Sequence, residues 1–266
     1  MKTVNAVTVS DISNDEIGLA HFHPEQFSTE SKWSGSDTSE LFEKNIKDPD
    51  RYQLLKSHGW LDPDVITYKY NRYGFRCNEF DDRPAGIALG CSHTEGVGVR
   101  EQDAWSSVLS KLLGVHVWNL GVGGSSLDTV FRVLEYWLPK LTPKFVAICI
   151  PYVARIEVFV SDGIHRQDIP INLGHWPSNV ARYNTFYREW AVSDVNMIML
   201  RRKNLLAIQQ LCDKANTALV VEEADVIVYN MSVVKSCARD LMHPGAKNHA
   251  YFAQHMYNAL PTEIKK

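Results

Sequence analysis

The chain has 266 residues, 45% apolar and 22% charged, with a net charge of −3 and no long basic run. That length supports one substantial core, or one core with an extension. The charge balance excludes the basic footprint of a nucleic-acid-binding protein.

No stretch reaches the roughly 18–20 apolar residues that cross a bilayer, so no membrane insertion is expected. The first sixteen residues, MKTVNAVTVSDISNDE, carry one lysine, a broken apolar run and acidic residues where a cleavage region would lie. They read as no export signal, which gives a cytoplasmic expectation, with association with a phage particle as the other location. The five cysteines are Cys77, Cys91, Cys149, Cys212 and Cys237. The odd count and the lack of C-x-x-C point to free thiols in a reducing compartment.

Residues 1–82 differ from the rest. They are polar and aromatic, and read as an extension packed on a main domain at 83–262. A Ser/Gly/Asp cluster at 34–39 reads as a loop and 40–46 as a short helix. Residues 66–80 alternate well enough for one or two edge strands.

From residue 84 the pattern turns to α/β. AGIALG (85–90) predicts a buried strand, and 101–113 a helix with Trp105, Val108, Leu109, Leu112 and Leu113 on one face. VHVWNLG (115–121) is a second strand. Residues 125–138 form a helix capped by Ser125 or Ser126, burying Val130, Val133, Leu134 and Trp137. Strands at 144–152 and 217–223 follow, with helices at 195–215 and 245–260. This alternation predicts a three-layer α/β/α domain with a parallel sheet of about five strands.

In an open parallel sheet, reactive groups collect at the carboxyl ends of the strands. Three such places hold informative residues. Gly90-Cys91-Ser92-His93-Thr94-Glu95-Gly96 follows the first strand, where a serine hydroxyl can be exposed beside backbone N–H groups. Its plain alternative is a turn with Ser92 or Thr94 as a cap. Asn119-Leu120-Gly121-Val122-Gly123-Gly124-Ser125-Ser126 follows the second strand. It lacks the third glycine of a dinucleotide fingerprint and the Gly-Lys-Ser/Thr of a P-loop, so an oxyanion donor is the better use of its glycines. Asp240-Leu241-Met242-His243-Pro244-Gly245 precedes the final helix, where an Asp three residues before a His can hold the imidazole tautomer.

Taken together, this order of blocks resembles the SGNH (GDSL-like) hydrolase family. Its Gly-Asp-Ser-x-Thr-x-Gly block matches Gly90, Ser92, Thr94 and Gly96. Its Asn-x-Gly-x-x-Gly block matches Asn119, Gly121 and Gly124, and its Asp-x-x-His-Pro block matches Asp240, His243 and Pro244. The stretch Tyr70–Arg76 is similar to a segment that often precedes the first block in bacterial and phage relatives. The resemblance covers about residues 66–262. It implies a serine hydrolase of carboxylic esters, with Ser92 as nucleophile, His243 as base and Asp240 as orienter. Gly124 would donate to the oxyanion, and no cofactor or metal would be needed.

Two departures stand out. Cys91 replaces the family's Asp, and a thiol beside a buried strand is usually inert. The third block, Gly-x-Asn-Asp, is missing after 144–152. Arg155, or Tyr152 as second choice, stands where its Asn would donate; a salt bridge of Arg155 to Glu157 is the structural alternative.

His21 and His23 lack partners for a metal, and His249 and His255 read as surface residues. The insertion at 155–194 reads as a substrate wall, or as a surface excursion burying Trp176 and Trp190. The expected partner is a small-molecule or glycan ester, with O-acetyl groups on carbohydrate favoured. Lipase or thioesterase action, or an inactive glycan-binding or structural protein, are the alternatives. No feature sets the oligomeric state.

Overall fold

A computed structural model describes residues 26–161, 168–175, 181–229 and 236–265. His21, His23 and Trp176 lie outside the described residues, as does the side chain of Trp190.

The first described part holds strand β1 (Glu30–Ser31), helices α1 (Ser39–Lys47) and α2 (Pro49–His58), and strand β2 (Tyr68–Lys69), which pairs antiparallel with β1. Thr38 caps α1 through the N–H of Leu41. Asp48 ends α1 and caps α2, accepting from Asp50 and Arg51, with Pro49 next in line. Sequence patterning misses α2 because only Leu55 on it is buried, which leaves no apolar stripe to read.

The stretch 66–80 forms one two-residue strand in place of longer edge strands. Beyond β2 the Asn71 side chain accepts the N–H groups of Tyr73 and Phe75 at 3.0 and 3.1 Å, which closes a turn. The rings of Tyr73, Phe75 and Phe80 then pack around Trp137.

The main body runs β3 (Ala85–Leu89), a one-turn α3 (Ser92–Glu95), α4 (Trp105–Leu113), β4 (His116–Asn119), α5 (Leu127–Leu141) and β5 (Phe145–Ile150). An inserted antiparallel hairpin follows, β6 (Ile156–Ser161) with β7 (Asp168–Leu173), then α6 (Ala181–Phe186). The chain continues through α7 (Asp194–Lys214), β8 (Ala218–Glu223), α8 (Ala224–Tyr229) and α9 (Ala246–Ala259).

The main sheet has the order β4-β3-β5-β8 and is parallel throughout. It has four strands among the described residues, against about five expected. Leu134, Trp137, Ile208 and Cys212, from α5 and α7, pack on one face. Trp105, Leu109, Phe252 and Met256, from α4 and α9, pack on the other. The fold is a three-layer α/β/α sandwich. β3 and β5 are buried along their whole length because both faces are covered, which is why they read as unbroken apolar runs.

Ser126 is the cap of α5, and Val130, Val133, Leu134 and Trp137 are buried as their spacing predicts. On α4, Leu112 departs from expectation and is exposed, one position off the buried face of Trp105, Leu109 and Leu113. None of the described helices is long and apolar enough to cross a membrane.

From β3 the chain goes to β4 on one side and later to β5 on the other. This reversal opens a crevice at the carboxyl end of β3. Ser92 stands there.

Candidate active site

Ser92 is the first residue of α3, three positions past the end of β3. Its Oγ lies 2.8 Å from Nε2 of His243. The other ring nitrogen, Nδ1, lies 2.6 Å from Oδ2 of Asp240. Oδ1 of that carboxylate accepts the N–H groups of Met242 and His243, both at 3.0 Å. The structure therefore joins Ser92, His243 and Asp240 in one hydrogen-bonded chain, although 148 residues separate Ser92 from Asp240 in sequence. Burial alone pushes the Asp240 carboxyl up. The hydrogen bond and charge of His243, with donors from Met242 and Ser36, outweigh it and bring the group down to about 2. Asp240 is thus an anion, and it fixes the proton of His243 on Nδ1, leaving Nε2 to accept from Ser92.

The glycine-rich loop lies directly against α3. A Cβ on Gly121 would come within 2.4 Å of the Glu95 nitrogen, so only glycine permits this approach. Asn119 locks the contact: its amide donates to the Thr94 carbonyl at 2.8 Å and accepts from Gly121 at 3.0 Å. Gly124 has φ of +73° and open space where a side chain would be. Neither its N–H nor that of Ser92 has an acceptor among the described residues.

Arg155 follows β5 and donates to the Ser125 carbonyl at 3.3 Å, beside Gly124. Its guanidinium lies 5.2 Å from the Tyr152 ring centre. Glu157, the alternative partner for Arg155, is instead paired with Arg132 of α5 at 2.8 Å, in a buried contact. The inserted hairpin touches the same loop, since Asn172 of β7 accepts from the Ser126 N–H at 3.1 Å. Cys91 is fully buried whereas Ser92 is only partly buried, so the thiol is not available to compete as nucleophile. Among the described residues no three His, Cys, Asp or Glu side chains converge on a metal-sized site.

Two histidines surround His243. His93, from α3, sits with its ring centre 5.5 Å from that of His243 and 5.9 Å from that of Tyr152. His249 corrects the expectation of a surface residue: it is 1% exposed, and its Nδ1 accepts the Trp105 N–H at 3.1 Å. It shares a helical face with Phe252, Ala253 and Met256. His255 is partly exposed and pairs with Glu222 at 2.6 Å. Burial pushes His93 well below the usual imidazole range and brings His249 down to about 3.

The unfolded chain takes up the His249 proton near pH 6.5 and the folded one only near pH 3, so stability is full above pH 6.5 and falls as pH drops. Between pH 6.5 and 5, His249 alone costs about 2 kcal/mol. Urea unfolding at pH 7.5 and 5.0 checks this. His249→Asn, whose Oδ1 takes the place of Nδ1 as acceptor for Trp105, is expected to lose about 2 kcal/mol less than wild type over that interval.

The segment preceding β3 supports the site from beneath, which sequence reading did not reveal. Tyr70 donates to the buried Glu95 of α3 at 2.5 Å. Arg76 donates to the carbonyls of Gly96 and Val99 at 2.5 and 3.0 Å, holding the chain just after α3. Asp37 and Arg239 form a buried ion pair at 2.7 Å, and Arg239 immediately precedes Asp240.

No protein-family model matches the chain, and no curated protein matches it. Solved structures of esterases and G-D-S-L lipolytic proteins share a distant likeness. A psychrotrophic esterase from Pseudoalteromonas sp. is 12% identical with a TM-score of 0.35, over 67% of this chain and 96% of that one. A catalytic mutant of an acetylxylan esterase from Geobacillus stearothermophilus gives 13% and 0.37, over 68% and 95%. A lipolytic protein of the G-D-S-L family from Veillonella parvula gives 14% and 0.33, over 66% and 99%. Likeness of this size assigns neither family nor substrate. The fold stands on its own strand order, and the site on its own distances.

Proposed function

We propose that the chain is a serine esterase that hydrolyses short acyl esters through an acyl-enzyme. The observation that carries this reading is the unbroken hydrogen-bonded line from Ser92 Oγ through His243 to the Asp240 carboxylate.

Nε2 of His243 takes the Ser92 proton as Oγ attacks the acyl carbon. Asp240 stabilises the imidazolium that forms. The negative charge on the acyl oxygen is met by the N–H groups of Ser92 and Gly124, with Arg155 as the third donor. His243 then protonates the departing alcohol. A water, activated by the same imidazole, releases the acid.

The substrate reading rests on a neighbouring cavity that reaches the site through Tyr152, whose ring centre is 5.9 Å from that of His93. A cavity of about 320 Å³ opens at the carboxyl ends of β5 and β8, lined by Tyr152, Val153, Arg201, Glu223 and Asp225 among others. An aromatic face beside charged groups suits a sugar ring, which stacks on one and bonds to the other. O-acetylated carbohydrate is therefore the substrate class put forward.

Hydrolysis of p-nitrophenyl acetate, butyrate and octanoate tests the acyl preference. The expected kcat/KM is highest for acetate and falls about tenfold or more by octanoate. An equal or higher value for octanoate would replace this reading with a lipase. A fluorophosphonate probe tests the nucleophile: intact mass should rise by one label, and peptide mapping should place it on Ser92.

A further inference from the structure

We propose that Ser36, from the segment ahead of the sandwich, is a positioning residue that tunes the His243 imidazole through Asp240. The proposal rests on the esterase reading and adds a group that the three sequence blocks do not contain.

The argument starts from the lone pairs of one buried carboxylate. Asp240 is 2% exposed and offers about four acceptor sites on two oxygens. Oδ1 is filled by the N–H groups of Met242 and His243. Oδ2 receives His243 Nδ1 at 2.6 Å and the Ser36 hydroxyl at 2.7 Å. Ser36 Oγ also lies 3.3 Å from His243 Nδ1, so it touches both halves of the acid–base pair. The hydroxyl completes the shell and shares the charge on Oδ2 with the imidazole.

Ser36 is built into this position. Ser34 and Asp37 exchange both backbone hydrogen bonds, at 3.1 and 3.0 Å, and close a tight turn with Gly35 and Ser36 at its tip. The next residue, Asp37, is clamped by Arg239, the residue just before Asp240, and accepts from Tyr68 at 2.6 Å. The Tyr68 oxygen in turn accepts the Gly98 N–H at 2.7 Å. One buried network therefore sets the Ser36 turn, the Asp240 loop and the chain after α3 against each other.

Removal of the hydroxyl leaves His243 as the sole donor to Oδ2. The carboxylate then holds the protonated imidazole more tightly. The other titratable groups near His243 are His93 and His249, both kept neutral by burial, with Arg155 and Arg76 beside those two rings. None of them compensates for a lost donor on Asp240.

The test is the pH profile of p-nitrophenyl acetate hydrolysis by wild type, Ser36→Ala and Ser36→Thr. For the alanine variant, the acid limb of kcat/KM is expected to move up by about one pH unit. Activity then falls up to about tenfold below the limb, KM stays within about twofold, and the deficit closes at alkaline pH. Threonine, which keeps the hydroxyl, should restore limb and rate. An unshifted limb in Ser36→Ala overturns the proposal. So does a pH-independent loss that follows a lower Tm and is not restored by threonine. If wild type hydrolyses no ester, the esterase reading fails by itself, and the Cε1–H titration of His243 by NMR still decides the role of Ser36. An upward shift in Ser36→Ala supports it, and no shift overturns it.

Discussion

Ser92→Ala should lower kcat on p-nitrophenyl acetate by about 10⁵-fold or more while leaving Tm within about 2 °C of wild type. The large kinetic effect follows from the position of the hydroxyl. It is the one group at 2.8 Å from a His243 nitrogen whose other ring nitrogen is already committed to an anion. Without it, no other hydroxyl or thiol among the described residues bonds to Nε2 of His243, and the neighbouring Cys91 is fully buried. The small effect on stability follows from the same contacts. Ser92 is partly buried, and among the described residues its side chain bonds to His243 alone. The helix-end bonds from Gly96 and Val97 go to its carbonyl, which alanine retains. Residual turnover should come from the N–H groups of Ser92 and Gly124, which the substitution leaves in place. Rate measurements with unfolding curves for both proteins check the prediction. A variant that keeps more than about a tenth of wild-type turnover would remove Ser92 from the chemistry.

The parts of this site that could be read in advance are those fixed by local sequence. Ser92, Asp240 and His243 each lie in a short block at a strand end or helix start, and the two central strands, β3 and β5, announce themselves as apolar runs buried on both faces. His249 was legible in principle. Residues 249, 252, 253 and 256 form one buried helical face, so the ring should have been placed in the core. Ser36 was not legible. Its loop reads as ordinary Ser/Gly/Asp punctuation, and its partner lies 204 residues away. The same holds for Arg239, which in sequence is one more charged residue before an Asp. A buried ion pair between two distant loops leaves no periodic trace. Arg155 is found by following β5 to its end, but its bond to the Ser125 carbonyl appears only when the chain is folded.

That distant pair gives the second large effect. Asp37→Ala should destabilise the protein by about 3–5 kcal/mol, because it strands a guanidinium that is 0% exposed. Arg239 keeps acceptors on the carbonyls of Pro63 and Lys32, which satisfy hydrogen bonds but not its charge. Tyr68 loses its acceptor as well. A drop in Tm of roughly 10 °C is the expected reading for a chain of this size. The ion pair itself is a smaller matter than its breaking. Replacing both members with neutral side chains, Asp37→Ala with Arg239→Met, removes the stranded charge and should recover more than half of the loss. Urea unfolding of the four proteins of this cycle supplies the numbers. If the double variant were no more stable than Asp37→Ala, the cost would lie in the turn and not in the charge. Activity separates the two roles of the region. The double variant should remain folded yet slower than wild type, since Asp37 and Arg239 flank Ser36 and Asp240 and hold the one against the other. The segment ahead of the sandwich would then count as part of the active site, joined to it by charge on one side and by a single hydroxyl on the other.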